Sequence, residues 1–175
     1  MIGHGYYRRK PRDGLGVYAL LIKRWRCKEC GRTVSVLPSF LLQYRHYLLR
    51  VIQAVMALRF EGMASWAVIL AKVGGEGYPS LRTMQRWCQS FREQAERWLR
   101  AVEERLAQQD SLSEWLDAQG EALAAKGSAQ ALLAASEHLL AWAKTQWAEM
   151  ANYSLDKRLS FLWLWGANQG LGRLV

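Results

Sequence analysis

The chain of 175 residues predicts a mainly α fold: a small N-terminal β-hairpin, then a helix-turn-helix unit, then a C-terminal helical bundle. Three observations carry that expectation. Tyr, Val, Ile and Trp crowd the first 36 positions around a Pro11-Arg-Asp-Gly14 turn. Apolar residues recur by threes and fours from Leu81 to Leu106. Glycine and serine then punctuate an alanine-rich second half where helices would stop and start. The expected divisions fall at 1–39, 40–109 and 110–175.

Each element follows from local chemistry. Residues 3–10 and 17–26 read as two strands, with 32–36 as a short third one. Leu37-Pro38-Ser39 ends that unit, and residues 40–60 read as one nearly continuous apolar helix with Arg45, Arg50 and Arg59 on its outside. Glu61-Gly62 breaks it, residues 63–73 make a short second helix, and residues 74–79 form a glycine-bearing turn. Ser80 is placed to cap a third helix, whose apolar seam runs Leu81, Met84, Cys88, Phe91, Ala95, Trp98, Val102, Leu106. Cys88 falls in that seam, so its expected role is a buried thiol. Mixed charges flank the seam beyond Glu93, which suits pairing with another helix or a homodimer through it. Asp110-Ser111 with Glu114 forms a capping box for a helix to Lys126, Gly127 stops it, and Ser128 caps a helix over 129–152. A last short helix is expected over 155–165.

Charge is concentrated at one end. Residues 1–60 hold 12 Lys/Arg against 2 Asp/Glu, residues 61–109 hold 7 against 6, and residues 110–175 hold 5 against 7. A dense cation gains free energy by releasing the counterions of a polyanion, so nucleic acid is the first partner this distribution suggests. No apolar leader opens the chain and no apolar run is long and uncharged enough to span a bilayer, so a cytoplasmic protein without a membrane partner is expected.

Within the basic end, Cys27 and Cys30 stand two residues apart with Gly31 after them, the knuckle spacing that offers two sulfurs to one tetrahedral zinc. Two thiolates are half a site. His4, His46 or the cysteines of a second chain would have to complete the shell, and a bare hairpin packed on the helices is the alternative. The fold class is therefore mainly α with a degenerate zinc ribbon, and zinc is the one cofactor the sequence suggests.

His4-Gly-Tyr-Tyr-Arg-Arg, Arg24-Trp-Arg-Cys-Lys-Glu-Cys-Gly-Arg-Thr-Val-Ser and Leu37-Pro-Ser-Phe-Leu-Leu-Gln-Tyr-Arg-His-Tyr together resemble the zinc ribbon and following helix of transposon-associated proteins. These include the DNA-binding segments of insertion-sequence transposases and a related uncharacterised domain family. The resemblance covers about residues 1–105 and implies a mobile-element setting. It also implies a further Cys-x-x-Cys ahead of His4, where this sequence starts at Met1.

The residues themselves point to DNA without that likeness. Off the apolar seam of the third helix lie Arg82, Thr83, Gln85, Arg86, Gln89 and Arg92. Arg offers a donor fork to guanine O6 and N7, Gln pairs with adenine N6 and N7, and Thr meets a phosphate or a thymine methyl. Tyr6, Arg8, Arg9, Lys10, Lys23, Arg24, Arg26, Lys28 and Arg32 would clamp phosphates from the hairpin. Catalysis is not expected, since no carboxylate triad on strands, no nucleophile and base pair, and no phosphate loop with its lysine stand out. The competing expectations are a helical assembly module with a degenerate ribbon, and the non-catalytic fragment of a transposase.

Overall fold

The computed structural model describes residues 1–108, 127–151, 153–154 and 157–175. The helix expected between Asp110 and Lys126 lies outside the described residues. The remainder is mainly α with a small three-stranded antiparallel N-terminal sheet, ordered β1 (Ile2–Arg9), β2 (Leu20–Arg26) and β3 (Thr33–Ser35). Tyr7 pairs with Ile22 and Arg9 with Leu20, so their side chains share one face. Tyr6, opposite Lys23, and Leu21, opposite Arg8, take the other. A bulge between Gly3 and Tyr6 is made at Gly5, whose φ of +79° suits a residue without Cβ.

The inner face of the sheet buries little. Ile22 closes with Leu41 and Leu48 into a cluster of three buried residues, against which Tyr7, Leu20 and Leu37 lean. So small a cluster cannot hold three strands alone, and polar contacts tie the hairpin turn to the helices. Asp13 is 2% exposed; it accepts from the Leu15 N–H at 3.0 Å and the Tyr18 hydroxyl at 3.1 Å, and pairs with Arg50. Beside it Gly14, at φ +85°, presses on Tyr78, whose ring would come within 2.0 Å of any added Cβ.

Five helices form the body: α1 (Leu49–Met56), extended by a π-helical turn Ala57–Glu61, α2 (Trp66–Val73), α3 (Leu81–Ala107), α4 (Ser128–Gln146) and α5 (Arg158–Asn168). Ser80 caps α3 as expected, its hydroxyl accepting the Thr83 N–H at 3.4 Å. Ser65 caps α2 in the same way, so that helix starts three residues later than the sequence suggests. Ser128 does not cap α4: it is the first helical residue, after Gly127 at φ +85°, and α4 stops at Gln146 before a short 3-10 turn over Ala148–Met150. No helix among the described residues is long and apolar enough to cross a membrane.

One expectation fails outright. Residues 40–48 are not helical, because their backbone groups bond elsewhere: Arg12 N–H reaches the His46 carbonyl at 2.9 Å, Leu48 N–H the Arg12 carbonyl at 3.0 Å, and Leu49 N–H the Phe40 carbonyl at 2.9 Å. Tyr44 sits at φ +63°, a conformation no α-helix contains. The segment is a loop folded back on the hairpin turn.

The seam of α3 was expected to face a second chain or partner helix, and its cover comes from within. Met84, Trp87, Cys88, Phe91, Ala95, Trp98, Val102 and Leu106 are all buried in one core that runs from Leu42 to Val175. The alanines at 129, 131, 135 and 143 let α4 lie close along α3, and Gly166 of α5 meets Trp98 where an added Cβ would stand 2.1 Å from the ring. Among the described residues, the seam is therefore covered by elements of the same chain.

Candidate nucleic-acid interface

Folding residues 43–46 back on the sheet opens a groove of about 790 Å³ between them. Its walls hold six cations, Arg8, Arg9, Lys10, Arg12, Arg24 and Arg45, together with Tyr7, Tyr44, Gln43 and His46, and among the described residues no carboxylate. The local reason is register. Tyr7, Arg9 and Arg24 share the inner face of the sheet, and Arg12 stands in the turn whose backbone pairs with the loop.

The cations divide by what already holds them. Arg9 is half-buried, donates to the Leu42 carbonyl through both terminal nitrogens at 3.2 Å, and reaches the Arg45 carbonyl as well. Arg9, expected to clamp phosphate, thus also pins the loop to β1. Arg24 donates to the Thr33 hydroxyl at 3.2 Å, and the Arg12 guanidinium lies 5.5 Å over the Tyr47 ring. Arg8 and Lys10 are exposed.

The other predicted hairpin residues stand elsewhere. Tyr6 and Lys23 lie on the outer face, Lys23 with its ammonium 4.2 Å over the Trp25 ring. Arg26, Lys28 and Arg32 surround the knuckle, where Arg26 donates to the Gly31 carbonyl at 3.3 Å. Cys27 N–H bonds the Arg32 carbonyl at 2.8 Å, Gly31 N–H returns to the Cys27 carbonyl at 3.2 Å, and Gly31 takes φ +68°. The Cys30 and Glu29 N–H groups, and then the Cys30 side chain, point at the Cys27 sulfur and lower its pKa. This backbone is ready to favour a thiolate. Cys27 and Cys30 supply two ligands of a zinc shell, and among the described residues no third His, Cys, Asp or Glu joins them, His4 and His46 included. By themselves they do not make a tetrahedral site.

On α3 the polar face keeps fewer free groups than expected. Arg82, Gln85 and Arg86 are exposed. Thr83 is half-buried, with its hydroxyl 3.0 Å from that of Ser80 and 3.5 Å from the Arg86 guanidinium, so it belongs to the cap. Gln89 donates to Glu93 at 2.7 Å. Arg92 turns aside, its guanidinium 5.8 Å from the Phe60 ring and beside Arg59 and Met63. Arg82, Gln85, Arg86, Gln89 and Arg92 all stand exposed, and Arg86, Gln89 and Arg92 each also have a contact on the protein.

Groove and helix adjoin. The Tyr47 ring meets Trp87 edge-on at 5.5 Å and its hydroxyl donates to the Tyr78 carbonyl at 3.3 Å, which seats the groove loop on the second turn of α3. Tyr7, Arg12, Gln43, Tyr44, Arg45 and His46 line the groove but were not among the residues expected to meet DNA. The available signal was the polar run Gln43-Tyr-Arg-His46 inside an otherwise apolar stretch.

The class defined so far is a mainly α protein carrying a small antiparallel sheet and a groove lined by six cations. Residues 1–87 are similar to a family described as Domain of unknown function (DUF6431). The match runs from β1 to the second turn of α3 and takes in every groove residue. No curated protein and no solved structure matches the chain.

Proposed function

We propose that the protein binds DNA, with the groove holding backbone phosphates and Arg82, Gln85 and Arg86 of α3 presented to the major groove. The observation that carries this reading is that six cations line one open groove and, among the described residues, no carboxylate does. Unbalanced cations in a concave surface focus a positive potential on a polyanion. Phosphate contacts then fix register while the adjoining helix face supplies the base-reading chemistry. The transposon-associated setting is part of the proposal and rests on the motifs around Cys27 and Cys30. The role assigned is binding, not catalysis, and zinc enters only with ligands beyond those two thiols.

Fluorescence anisotropy on random-sequence and selected duplexes tests the reading. Affinity should fall by orders of magnitude between about 50 and 200 mM salt. Arg86→Ala should cost about 1–3 kcal/mol on the selected site and relax one base position, whereas Arg8→Ala should weaken every duplex alike and flatten the salt slope. Equal effects of both on all sequences would remove α3 from base reading.

One observation favours a second reading, an assembly module. Tyr6, Leu21 and Val34 leave the outer sheet face 63%, 66% and 49% exposed. Self-association in sedimentation, without salt-dependent DNA binding, would favour that alternative.

A further inference from the structure

Three segments from distant parts of the chain meet beside the groove, and each carries an arginine. Arg45 stands in the groove loop, Arg86 on the second turn of α3, and Arg173 in the tail after α5. The tail is fixed by its neighbours: Leu171, Leu174 and Val175 are buried in the main core, so Arg173 is held between two anchored points. Its guanidinium lies 4.3 Å from the centre of the Tyr44 ring, directly before Arg45 in the chain. The same loop touches α3 at Trp87, one residue from Arg86.

Among the described residues no carboxylate pairs with Arg45, Arg86 or Arg173. Among the described residues the ion pairs are those of Arg50, Arg100 and Arg158, all elsewhere. Burial first, and then the charges of Arg173 and Arg86, lower the pKa of Arg45. Like charges gathered around a half-buried member oppose folding unless an anion joins them. Guanidinium forks match the oxygens of a phosphate, which accepts several charge-assisted hydrogen bonds at once.

We propose that Arg45 and Arg173, on the groove side of Arg86, form a phosphate site that takes a phosphodiester of bound DNA, so that the C-terminal tail completes a surface built mostly by the N-terminal half. The choice of DNA as the source of that phosphate rests on the function proposed above. The site itself rests on the meeting of the three segments.

The test compares the full-length protein with Arg173→Ala and Arg173→Lys on a random-sequence duplex across a salt series, and follows thermal melting with and without inorganic phosphate at equal ionic strength. Arg173→Ala should weaken all duplexes alike and make the salt slope shallower by about 0.9, the share of one phosphate contact. Arg173→Lys keeps the charge and should restore the slope. A wild-type slope in Arg173→Ala overturns the site and leaves the DNA reading standing. If the unaltered protein does not bind duplex, the DNA reading falls and inorganic phosphate decides the site. A rise in melting temperature that Arg173→Ala loses would keep it as a site for small phosphates, and no rise would overturn it.

Discussion

Arginine is used in opposite ways at the two ends of this molecule. In the helical body Arg158 is 7% exposed and lies between Glu61 at the end of the π-helical turn and Glu137 of α4, paired with both. In the groove, Arg8, Arg12, Arg24 and Arg45 share a concave surface that no acid lines among the described residues. A buried guanidinium needs its counter-charge inside the protein, and the fold provides two. The difference is one of partners: Arg158 finds its acids within the chain, and among the described residues no acid lines the groove.

The strongest way to break that comparison is to remove one cation from each end. Arg158→Ala leaves two carboxylates facing a cavity and should destabilise the protein by about 2–4 kcal/mol, below the upper end for fully buried pairs because both glutamates keep part of their surface in water. Chemical denaturation measures it, and DNA affinity of the folded protein should not change. Lys10→Ala should do the reverse: no loss in denaturation midpoint, and a salt slope shallower by about 0.9. If both substitutions shift stability alike, the two ends do not differ in the way proposed.

A smaller effect sharpens the boundary between them. The sheet buries little of its own and depends on the Asp13 to Arg50 pair and on the contact of Gly14 with Tyr78. Gly14→Ala meets both a positive φ of +85° and a ring 2.0 Å away, so it should cost about 1–3 kcal/mol. Because the 43–46 loop hangs on the same turn through Arg12, amide hydrogen exchange should rise in β1, β2 and residues 40–48 before it rises in α4.

The parts legible in the sequence were those whose signals are local. Ser80 announced α3, and spacing by threes and fours marked its seam, because the cap and the buried stripe both lie within a turn or two of the residues they control. Residues 40–48 defeated the same reasoning: their apolar pattern is helical, but backbone bonds to Arg12 and the Arg9 guanidinium, more than 30 positions away in sequence, override it. The groove was half-legible for that reason. Its cations were visible as a charge excess, while the loop that gathers them was not. Arg173 carried no signal at all, since its place depends on where Leu171, Leu174 and Val175 find the core. On the polar face of α3, Thr83, Gln89 and Arg92 also meet groups on the protein, contacts the sequence pattern did not show.

The gentlest test of the contrast is at the thiols. Cys27, at the open end, has its pKa lowered by N–H groups aimed at the sulfur, while burial pushes the Cys88 thiol up to about 11 despite the nearby Arg59 and Arg92 charges. Alkylation at neutral pH followed by mass spectrometry should modify Cys27 well before Cys88, which should react only through unfolding. The sign of the stability effect follows from the same shift. The folded state holds the Cys88 proton more tightly than the unfolded chain, so the contribution is fully present below the ordinary value of 9.0 and is lost as pH rises toward about 11. At about pH 9.5 the loss should be under about 1 kcal/mol. Cys88→Ala removes it, so the stability gap between Cys88→Ala and the unaltered protein should narrow above pH 9.0. A gap that stays constant with pH would mean that the seam does not exclude the thiolate, and that this part of the core is wetter than its burial implies.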